Sequence, residues 1–326
     1  MRAWFGAGVA CIGATLACQP TGALAEPEPT SDASGGDATI PGAGDASSLH
    51  SACDAGEPAD AYATSQAFEC NESLQTIATR GVTLSFDLVL PPSGVARNGV
   101  AVILLSGGTG ALGLTGTQIR TGADNFCVRT RQMYALQGFV VAVPDAPSDH
   151  PPPQGLDNFR ATPEHAADLK NVILWLRDQD GGAALKVWLV ATSRGTISAA
   201  DVVANFPTPP EGPDHIVLTS SVTVIPPDAS DQEDIQSVSA DAAGVLSQHL
   251  PVLMIDDSKD KCGASPPAGA QALAEQIGDP QKDFVLLDGG PTPPVGQDVC
   301  GGLAYHGFYE DDAVLVPRIT AFILDP

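Results

Sequence analysis

The sequence predicts an α/β fold in which a mostly parallel central sheet is covered by helices on both faces. Short apolar runs, such as residues 99–105 and 186–190, are typical of strands buried on both sides of a parallel sheet. Amphipathic helical stretches, such as residues 162–176, alternate with these runs, as expected for parallel βα units. The 326 residues, 43% of them apolar, supply a core large enough for one such domain, which excludes disorder throughout the chain.

The first 25 residues are predicted to be an export signal. Arg2 precedes an apolar run from Ala3 to Ala17 that is too short to span a bilayer comfortably. Two processing sites remain open: one after Ala25, which ends a small-x-small sequence, and one before Cys18, in a sequence that resembles a bacterial lipoprotein box. We therefore expect an exported protein that is periplasmic, extracellular, or an outer-membrane lipoprotein tethered to the membrane through a lipidated Cys18.

Composition divides the rest of the chain into a tether and a folded domain, and the net charge limits the classes of partner that the protein can bind. Residues 26–50 are rich in Pro, Gly, Ser, Ala and Asp and are predicted to be a disordered tether, so the folded domain is expected over residues 51–326. The formal net charge of −24 argues against nucleic acid as a partner and leaves a small-molecule or acyl substrate. No cluster of His, Cys and carboxylates has metal-ligand spacing, so neither metal nor cofactor is expected. The sequence does not set the oligomeric state.

The five cysteines beyond the signal region predict two disulfides and one thiol. An exported protein reaches an oxidising compartment, where cysteines pair. We predict one disulfide between Cys53 and Cys70, and a second between Cys262 and Cys300. Cys127 falls in a helical stretch and is expected to be buried and inert.

The other elements continue the alternation of strands and helices. Residues 82–88 alternate between apolar and polar, as in a half-buried strand, and Thr162-Pro163-Glu164 has the N-cap, first-turn proline and acidic residue of a helix start. Further strands are expected at 138–143, 216–218, 251–255 and 284–287, and further helices at 124–137, 195–205, 268–277 and 312–324. The roughly 30 residues between the strands near 220 and 251 are too few for a large lid domain, so we expect a minimal lid and an open cleft.

A short stretch around Ser193 is the centre of the functional prediction. The apolar strand 186–190 reaches Ser193 and then a helix within a few residues, and a turn this sharp requires small neighbours. Ala191 and Gly195 are those neighbours, which leaves the stretch one residue away from the G-x-S-x-G nucleophile elbow of α/β-hydrolases. The elbow exposes the serine hydroxyl and directs the next backbone N–H, that of Arg194, at a developing oxyanion.

A serine nucleophile needs a general base and an acid that orients the base. His306 follows the last predicted strand, whereas the other five histidines lie in the tether region, in a helix start, before strands, or before the nucleophile in the chain. Asp260 follows the strand 251–255, and we prefer it to Asp256 and Asp257, which are close enough to the strand to belong to its end. The order Ser193, Asp260, His306 is that of an α/β-hydrolase triad. The Cys262–Cys300 disulfide would then join the acid loop to the histidine loop.

The glycine-rich loop after strand 99–105 has two interpretations. As the second part of an oxyanion hole, it would donate a backbone N–H from Gly107, Gly108 or Thr109. Gly108, Gly110 and Gly113 also match the dinucleotide pattern G-x-G-x-x-G, but the acidic residue expected about 20 positions later is missing. We therefore prefer the oxyanion hole, with Gly107, Gly108 and Arg194 as its members.

Residues 104–110, 139–149, 187–199, 251–262 and 300–308 together resemble bacterial exported α/β-hydrolases whose elbow reads G-T-S-R-G-T. The resemblance covers roughly residues 75–325 and implies a serine hydrolase of the esterase or peptidase-like type. Ala191 departs from the usual elbow glycine. We expect cleavage of carboxylic esters through an acyl-enzyme; the alternatives are a peptidase or amide hydrolase with the same machinery, and a non-catalytic, surface-tethered binding protein on a hydrolase scaffold.

Overall fold

A computed structural model describes residues 62–179, 185–224, 252–277 and 283–326. The predicted export signal, the tether, Cys18 and Cys53 lie outside the described residues, as does most of the segment for which a minimal lid is predicted. Within the described ranges, no helix is both long and apolar enough to cross a membrane.

The described elements alternate as the sequence predicts. The strands are β1 (Gln66–Ala67), β2 (Glu72–Thr79), β3 (Val82–Val89), β4 (Val100–Leu105), β5 (Gln118–Ile119), β6 (Val140–Pro144), β7 (Lys186–Thr192), β8 (His215–Thr219), β9 (Val252–Asp257) and β10 (Asp283–Leu287). The helices are α1 (Phe126–Arg129), α2 (Arg131–Ala135), α3 (Pro163–Arg177), α4 (Gly195–Asn205), α5 (Pro267–Ile277) and α6 (Asp312–Leu324), with a short 3₁₀ turn at Tyr305–Gly307.

Eight of these strands form one sheet in the order β10-β9-β8-β7-β4-β6-β3-β2. The strands from β10 to β6 run parallel, while β3 and β2 are antiparallel additions at one edge. The predicted mostly parallel sheet is therefore confirmed. Because β4 and β7 lie in its middle, the loops that follow them meet at its carboxyl edge.

Both faces of the sheet are covered, because successive side chains of a strand point to opposite sides. On β7, Leu189 packs in a core with side chains of α3, α4 and α5, whereas the next residue, Val190, packs in a core with side chains of α1, α2 and α6. Both side chains are fully buried. This arrangement confirms the prediction of helices on both faces.

The two-residue strands β1 and β5 were not predicted, and three larger elements are also corrected. Strand β2 was not predicted, because most of its residues are partly exposed and its sequence has no clean alternation. The helix expected over 124–137 is divided into α1 and α2 at Thr130. Strand β9 extends two residues beyond its predicted end, so that Asp256 and Asp257 belong to the strand.

A buried ion pair fastens the edge strand β2 to the rest of the domain. Arg131 Nε lies 2.8 Å from Glu72 Oε1 and 3.3 Å from Asp87 Oδ2, and all three side chains are almost completely buried. Burial raises the pKa of Asp87 well above its usual range, with the Glu72 charge acting in the same direction. The Arg131–Glu72 ion pair therefore helps to fix strand β2, and no local sequence pattern predicts a contact between residues so far apart in the chain.

Candidate active site

Ser193 occupies the sharp turn between β7 and α4. Its backbone has φ of 52°, in the left-handed region that non-glycine residues rarely adopt. The Ser193 N–H donates to the Thr219 carbonyl over 3.0 Å, and its carbonyl accepts from the N–H and hydroxyl of Thr196 over 2.9 and 2.6 Å. These bonds hold the unfavourable conformation and leave the side chain partly exposed.

The residues two positions either side of Ser193 show why small side chains are needed. A Cβ at Gly195 would collide with the carbonyl oxygen of Leu105 at the end of β4. Ala191 is fully buried in the core shared with α3 and α4, where its methyl group is accommodated. The substitution of Ala for the usual first glycine therefore leaves the turn intact.

His306 and Asp260 are joined by a hydrogen bond. His306 Nδ1 lies 2.8 Å from Asp260 Oδ2, and the histidine is 3% exposed. Since a carboxylate only accepts, Nδ1 carries the proton of the neutral ring and Nε2 presents its lone pair. Nε2 is buried and has no hydrogen-bond partner among the described residues. The backbone is also held, because Ser220 Oγ donates to the His306 carbonyl over 2.7 Å.

Ser193 and His306 line the same small cavity of about 30 Å³. Its other walls include Gly108, Asn125 and Gly302, from three different loops at the carboxyl edge of the sheet. The three residues predicted from chain order are thus brought to one place: the serine and histidine face a common space, and the aspartate holds the histidine.

The two rejected aspartates have other contacts. Asp256 Oδ1 accepts the N–H of Asp257, and Asp257 Oδ1 accepts the N–H of Lys259, each over 2.7 Å. Burial is the main cause that raises the pKa of Asp256 to about 8. Among the described hydrogen bonds, neither carboxylate reaches His306, which leaves Asp260 as its partner.

Ser265 is a site residue that the sequence analysis did not find. Its fully buried hydroxyl lies 2.8 Å from His306 Nδ1 and 3.1 Å from Asp260 Oδ2. Because Asp260 only accepts, the Ser265 O–H donates to it, while the N–H of Cys262 donates to Asp260 Oδ1 over 2.7 Å. Both oxygens of the aspartate are therefore held in place. The only signal in the sequence was a serine five residues after the acid.

Gly107 lies against Ser193 in the loop that follows β4. A Cβ at Gly107 would come within 2.8 Å of Ser193 Cβ and 3.3 Å of its Oγ, so only glycine allows this approach. Gly108 lines the same cavity as the serine. Within the described residues, no backbone hydrogen bond engages the N–H of Gly107 or Gly108.

Arg160, which the sequence analysis also missed, sets the orientation of this loop. Its buried guanidinium places Nη2 at 3.2 Å from the Ser106 carbonyl, 3.5 Å from the Gly107 carbonyl and 2.9 Å from the Gly108 carbonyl. In a planar trans peptide the C=O and the following N–H point in opposite directions. The N–H groups of Gly107 and Thr109 therefore point away from Arg160.

A second buried contact fixes Arg160 itself. Its Nη1 donates to Ser198 Oγ over 2.9 Å, and Ser198 Oγ lies 2.9 Å from His165 Nε2. Since arginine only donates, the Ser198 oxygen accepts from Arg160, and the tautomer of His165 sets the direction of the second bond. Burial lowers the pKa of His165 to about 3, in agreement with a neutral ring.

The dinucleotide interpretation of the same loop is not supported. Gly108, Gly110 and Gly113 all have positive φ, but the chain continues from β4 through a loop to β5 and not into a helix. A dinucleotide site needs a helix N-terminus directly after this loop.

The cysteines follow the prediction where they are described. Cys262 and Cys300 form a disulfide with a Cα–Cα distance of 4.7 Å, which joins the loop of Asp260 to that of His306. Cys70 is also disulfide-bonded; its predicted partner, Cys53, lies outside the described residues. Cys127 is a buried free thiol whose pKa is raised by burial, so it is unreactive.

The remaining charges near the elbow are paired. Arg194, whose backbone N–H is the predicted first oxyanion donor, has its guanidinium 2.9 Å from Asp157. Across the part of the chain that the structure describes, no group of three or more His, Cys, Asp and Glu side chains could hold a metal ion.

No protein-family model and no curated protein matches this chain. Solved structures do resemble it. An α/β serine hydrolase without lid from Xanthomonas campestris matches with a TM-score of 0.52 and 15% identity over 79% of this chain and 96% of its own. Est1E from Butyrivibrio proteoclasticus matches with a TM-score of 0.53 and 11% identity over 78% of this chain and 98% of its own.

The chain has the α/β-hydrolase fold. A thermophilic esterase from Thermogutta terrifontis gives the same result, with a TM-score of 0.51 and 15% identity over 78% of this chain and 92% of its own. At such low identities the likeness establishes the fold, and any activity has to be argued from the site itself.

Proposed function

We propose that the protein is a serine hydrolase that cleaves carboxylic esters through an acyl-enzyme. Ser193 is the nucleophile, His306 the general base and then acid, and Asp260 the residue that orients His306. The observation that carries this proposal is the 2.8 Å hydrogen bond from His306 Nδ1 to Asp260, which leaves Nε2 as a buried lone pair on the cavity that Ser193 also lines.

In acylation, Ser193 Oγ forms a bond to the ester carbonyl carbon while its proton passes to His306 Nε2. The carbonyl oxygen becomes an oxyanion. The tetrahedral intermediate then expels the alcohol, which takes the proton from His306. Asp260 stabilises the imidazolium through Nδ1 and stays ionised.

In deacylation, water repeats these steps on the acyl-enzyme. His306 removes a proton from the water, the hydroxide adds to the acyl carbon, and the collapse of the second intermediate returns the proton to Ser193. The products are a carboxylic acid and the free enzyme.

We assign the oxyanion hole to the backbone N–H groups of Gly107, Gly108 and Arg194. Gly107 has the best support, because its backbone touches Ser193 and Arg160 holds the preceding carbonyl on the opposite side. Each such donor contributes about 10²–10³-fold to the rate in serine hydrolases.

An amide bond would be cleaved by the same groups, so peptidase activity is a question of substrate choice. A binding protein on this scaffold has no need of a buried His306–Asp260 pair beside a partly exposed serine, and this favours catalysis. The proposal extends to an exported protein, lipidated at Cys18 or cleaved after Ala25.

The decisive experiment is labelling of the mature protein with a fluorophosphonate, read by mass spectrometry beside a panel of p-nitrophenyl esters. The adduct is expected on Ser193. Ser193→Ala should lose the adduct and lower ester turnover by more than about 10³-fold, because the nucleophile is gone.

Ser258→Ala is the matched control, since Ser258 is an exposed serine on the loop before Asp260. It should label and turn over esters as the wild type does. Absence of both label and turnover in folded wild-type protein would favour the binding protein, while turnover of peptide amides in preference to esters would favour the peptidase.

A further inference from the structure

A cavity beside the His306–Asp260 pair is formed by two loops that the disulfide joins. It has a volume of about 240 Å³. Lys259 and Lys261, which flank Asp260 in the chain, form one wall, and Tyr305, which precedes His306, forms another. These three lining residues are each one residue away in the chain from a proposed catalytic group.

Lys259 and Lys261 are exposed, and within the described residues their positive charges are not paired with carboxylates. Within the described residues, neither ammonium group has a carboxylate within 4 Å, whereas Lys170 pairs with Glu211 at 3.6 Å. Among the described residues, no acidic side chain lines the cavity. Lys259 Nζ lies 5.6 Å from the centroid of the Tyr305 ring, and both residues line the cavity.

The charge of Lys259 acts on the carboxyl group of Asp257, at the end of β9. Burial is the main cause that raises its pKa, and the nearby charge of Asp311 raises it further, while Lys259 lowers it. Asp257 is fully buried, and its Oδ1 accepts the backbone N–H of Lys259. It does not occupy the cavity.

The chain as a whole carries a charge of −24. Two lysines that have no carboxylate within 4 Å among the described residues are unusual in so acidic a protein, and clefts lined by one sign of charge concentrate ligands of the other. Apolar side chains, those of Pro293, Pro294 and Val299, also line the cavity and suit the carbon chain between an ester and a distant charge.

We propose that Lys259 and Lys261 bind an anionic group of the substrate, a carboxylate or a phosphate, while Ser193 attacks the ester carbonyl. This inference rests on the proposed function and adds a substrate class to it: esters in which either the acyl part or the alcohol part carries a negative charge.

Matched ester pairs test the proposal. For the acyl side, p-nitrophenyl hydrogen suberate is compared with the p-nitrophenyl ester of its neutral terminal amide. For the alcohol side, 4-carboxyphenyl butyrate is compared with 4-carbamoylphenyl butyrate. In one of the two pairs, kcat/KM should favour the anion in the wild type, and that pair identifies the side of the ester that carries the charge.

The Lys259→Gln/Lys261→Gln double variant should lower the anion-to-neutral ratio of kcat/KM roughly tenfold, because each exposed charge contributes a modest attraction. In the wild type, 0.5 M NaCl should lower the same ratio, and the variant should be insensitive to salt. A general loss of activity would lower kcat/KM equally for both esters of a pair and would leave the ratio unchanged.

Lys186→Gln is the control, because Lys186 lines a cavity at the opposite edge of the sheet. It should keep the wild-type ratio. Turnover of these esters without preference for the anion in either pair, or a preference that the double variant retains, would overturn the inference alone. No turnover of any of the four esters and no label on Ser193 would overturn the proposed function, and this inference with it.

Discussion

The two halves of the site are held by different means. The nucleophile half, with Ser193 and the Gly107 loop, follows the central strands β7 and β4, and its loop is anchored by the buried Arg160. The acid-base half, with Asp260 and His306, follows β9 and β10 at the edge of the sheet. There the Cys262–Cys300 disulfide and the Ser265 hydroxyl hold the loops together.

This difference reflects how much core each half can use. The residues around Ser193 pack between buried strands and α4, so van der Waals contacts fix them. The segment that leads to His306 has no regular structure between β10 and Tyr305, and it exposes apolar side chains such as Val295 and Val299. A loop without its own core needs covalent or hydrogen-bonded supports to keep a catalytic geometry.

The largest effect is expected on the nucleophile half. Arg160→Gln removes the donors that hold the Ser106 and Gly108 carbonyls, so the N–H groups of the loop lose their fixed direction. We expect kcat for an ester to fall about 10²-fold with a smaller change in KM, since the oxyanion forms only in the transition state. Steady-state kinetics measure this split.

Arg177→Gln is the matched control for that variant. Arg177 also donates to three backbone carbonyls, but at the opposite edge of the sheet. It should reduce the urea midpoint without the loss of kcat. Equal kcat values for the two variants would show that Arg160 is a structural residue only.

A smaller effect is expected from the support of the acid-base half. The Cys262→Ser/Cys300→Ser variant opens a link between residues 38 apart, which lowers the free energy of unfolding by roughly 4 kcal/mol on a loop-entropy estimate. Turnover should fall about tenfold, because the loops of Asp260 and His306 separate more often.

A reductant tests the same link without mutation. It should lower turnover of the wild type and leave that of the double variant unchanged. If complete reduction, verified by thiol counting, leaves the turnover of the wild type unchanged, then hydrogen bonds alone hold the acid-base half.

Ser265→Ala should have a weaker effect than the loss of the disulfide. It removes the contacts of the hydroxyl with Asp260 and with His306 Nδ1 while the His306–Asp260 bond remains, and we expect kcat to fall about fivefold, the equivalent of one modest hydrogen bond. Ser258→Ala, on the same loop, should match the wild type in parallel assays. If Ser265→Cys, which keeps a weak donor, is no better than alanine, the hydroxyl is not the group that matters.

The smallest effects concern stability, and here the two halves should respond to pH in opposite directions. His165, behind Arg160, has its pKa lowered to about 3, so its stabilising contribution is present above about pH 6.5 and is lost as the pH falls toward 3. Asp256, before Asp260, has its pKa raised to about 8, so its contribution is present below about pH 4 and is lost as the pH rises toward 8.

Urea unfolding at pH 5 and pH 7 measures both contributions. His165→Gln should shift the difference in unfolding free energy between pH 7 and pH 5 by about 2 kcal/mol toward greater relative stability at pH 5. Asp256→Asn should shift it by about 2–3 kcal/mol toward pH 7. Shifts of the same sign would contradict the protonation states assigned here.

Local sequence patterns were sufficient for the elements that surround the nucleophile. The N-cap Thr162 accepts the His165 N–H over 3.2 Å, and the apolar runs of β4, β7 and β8 are strands within a residue or two of their predicted bounds. Strand β9 was predicted to end at residue 255, because two acidic residues, Asp256 and Asp257, end the apolar run there. They remain in it because their backbones pair with Leu286 and Leu287 of β10.

By itself, the sequence determined the alternation of strands and helices, the order of Ser193, Asp260 and His306, and the small residues at the elbow, because these depend on periodicity and on local steric limits. Only the tertiary structure decided the contacts of Arg160 and Ser265. Arg160 holds carbonyls of the loop after β4 and Ser265 reaches His306 on another loop, and hydrogen bonds between distant segments leave no local pattern in the chain.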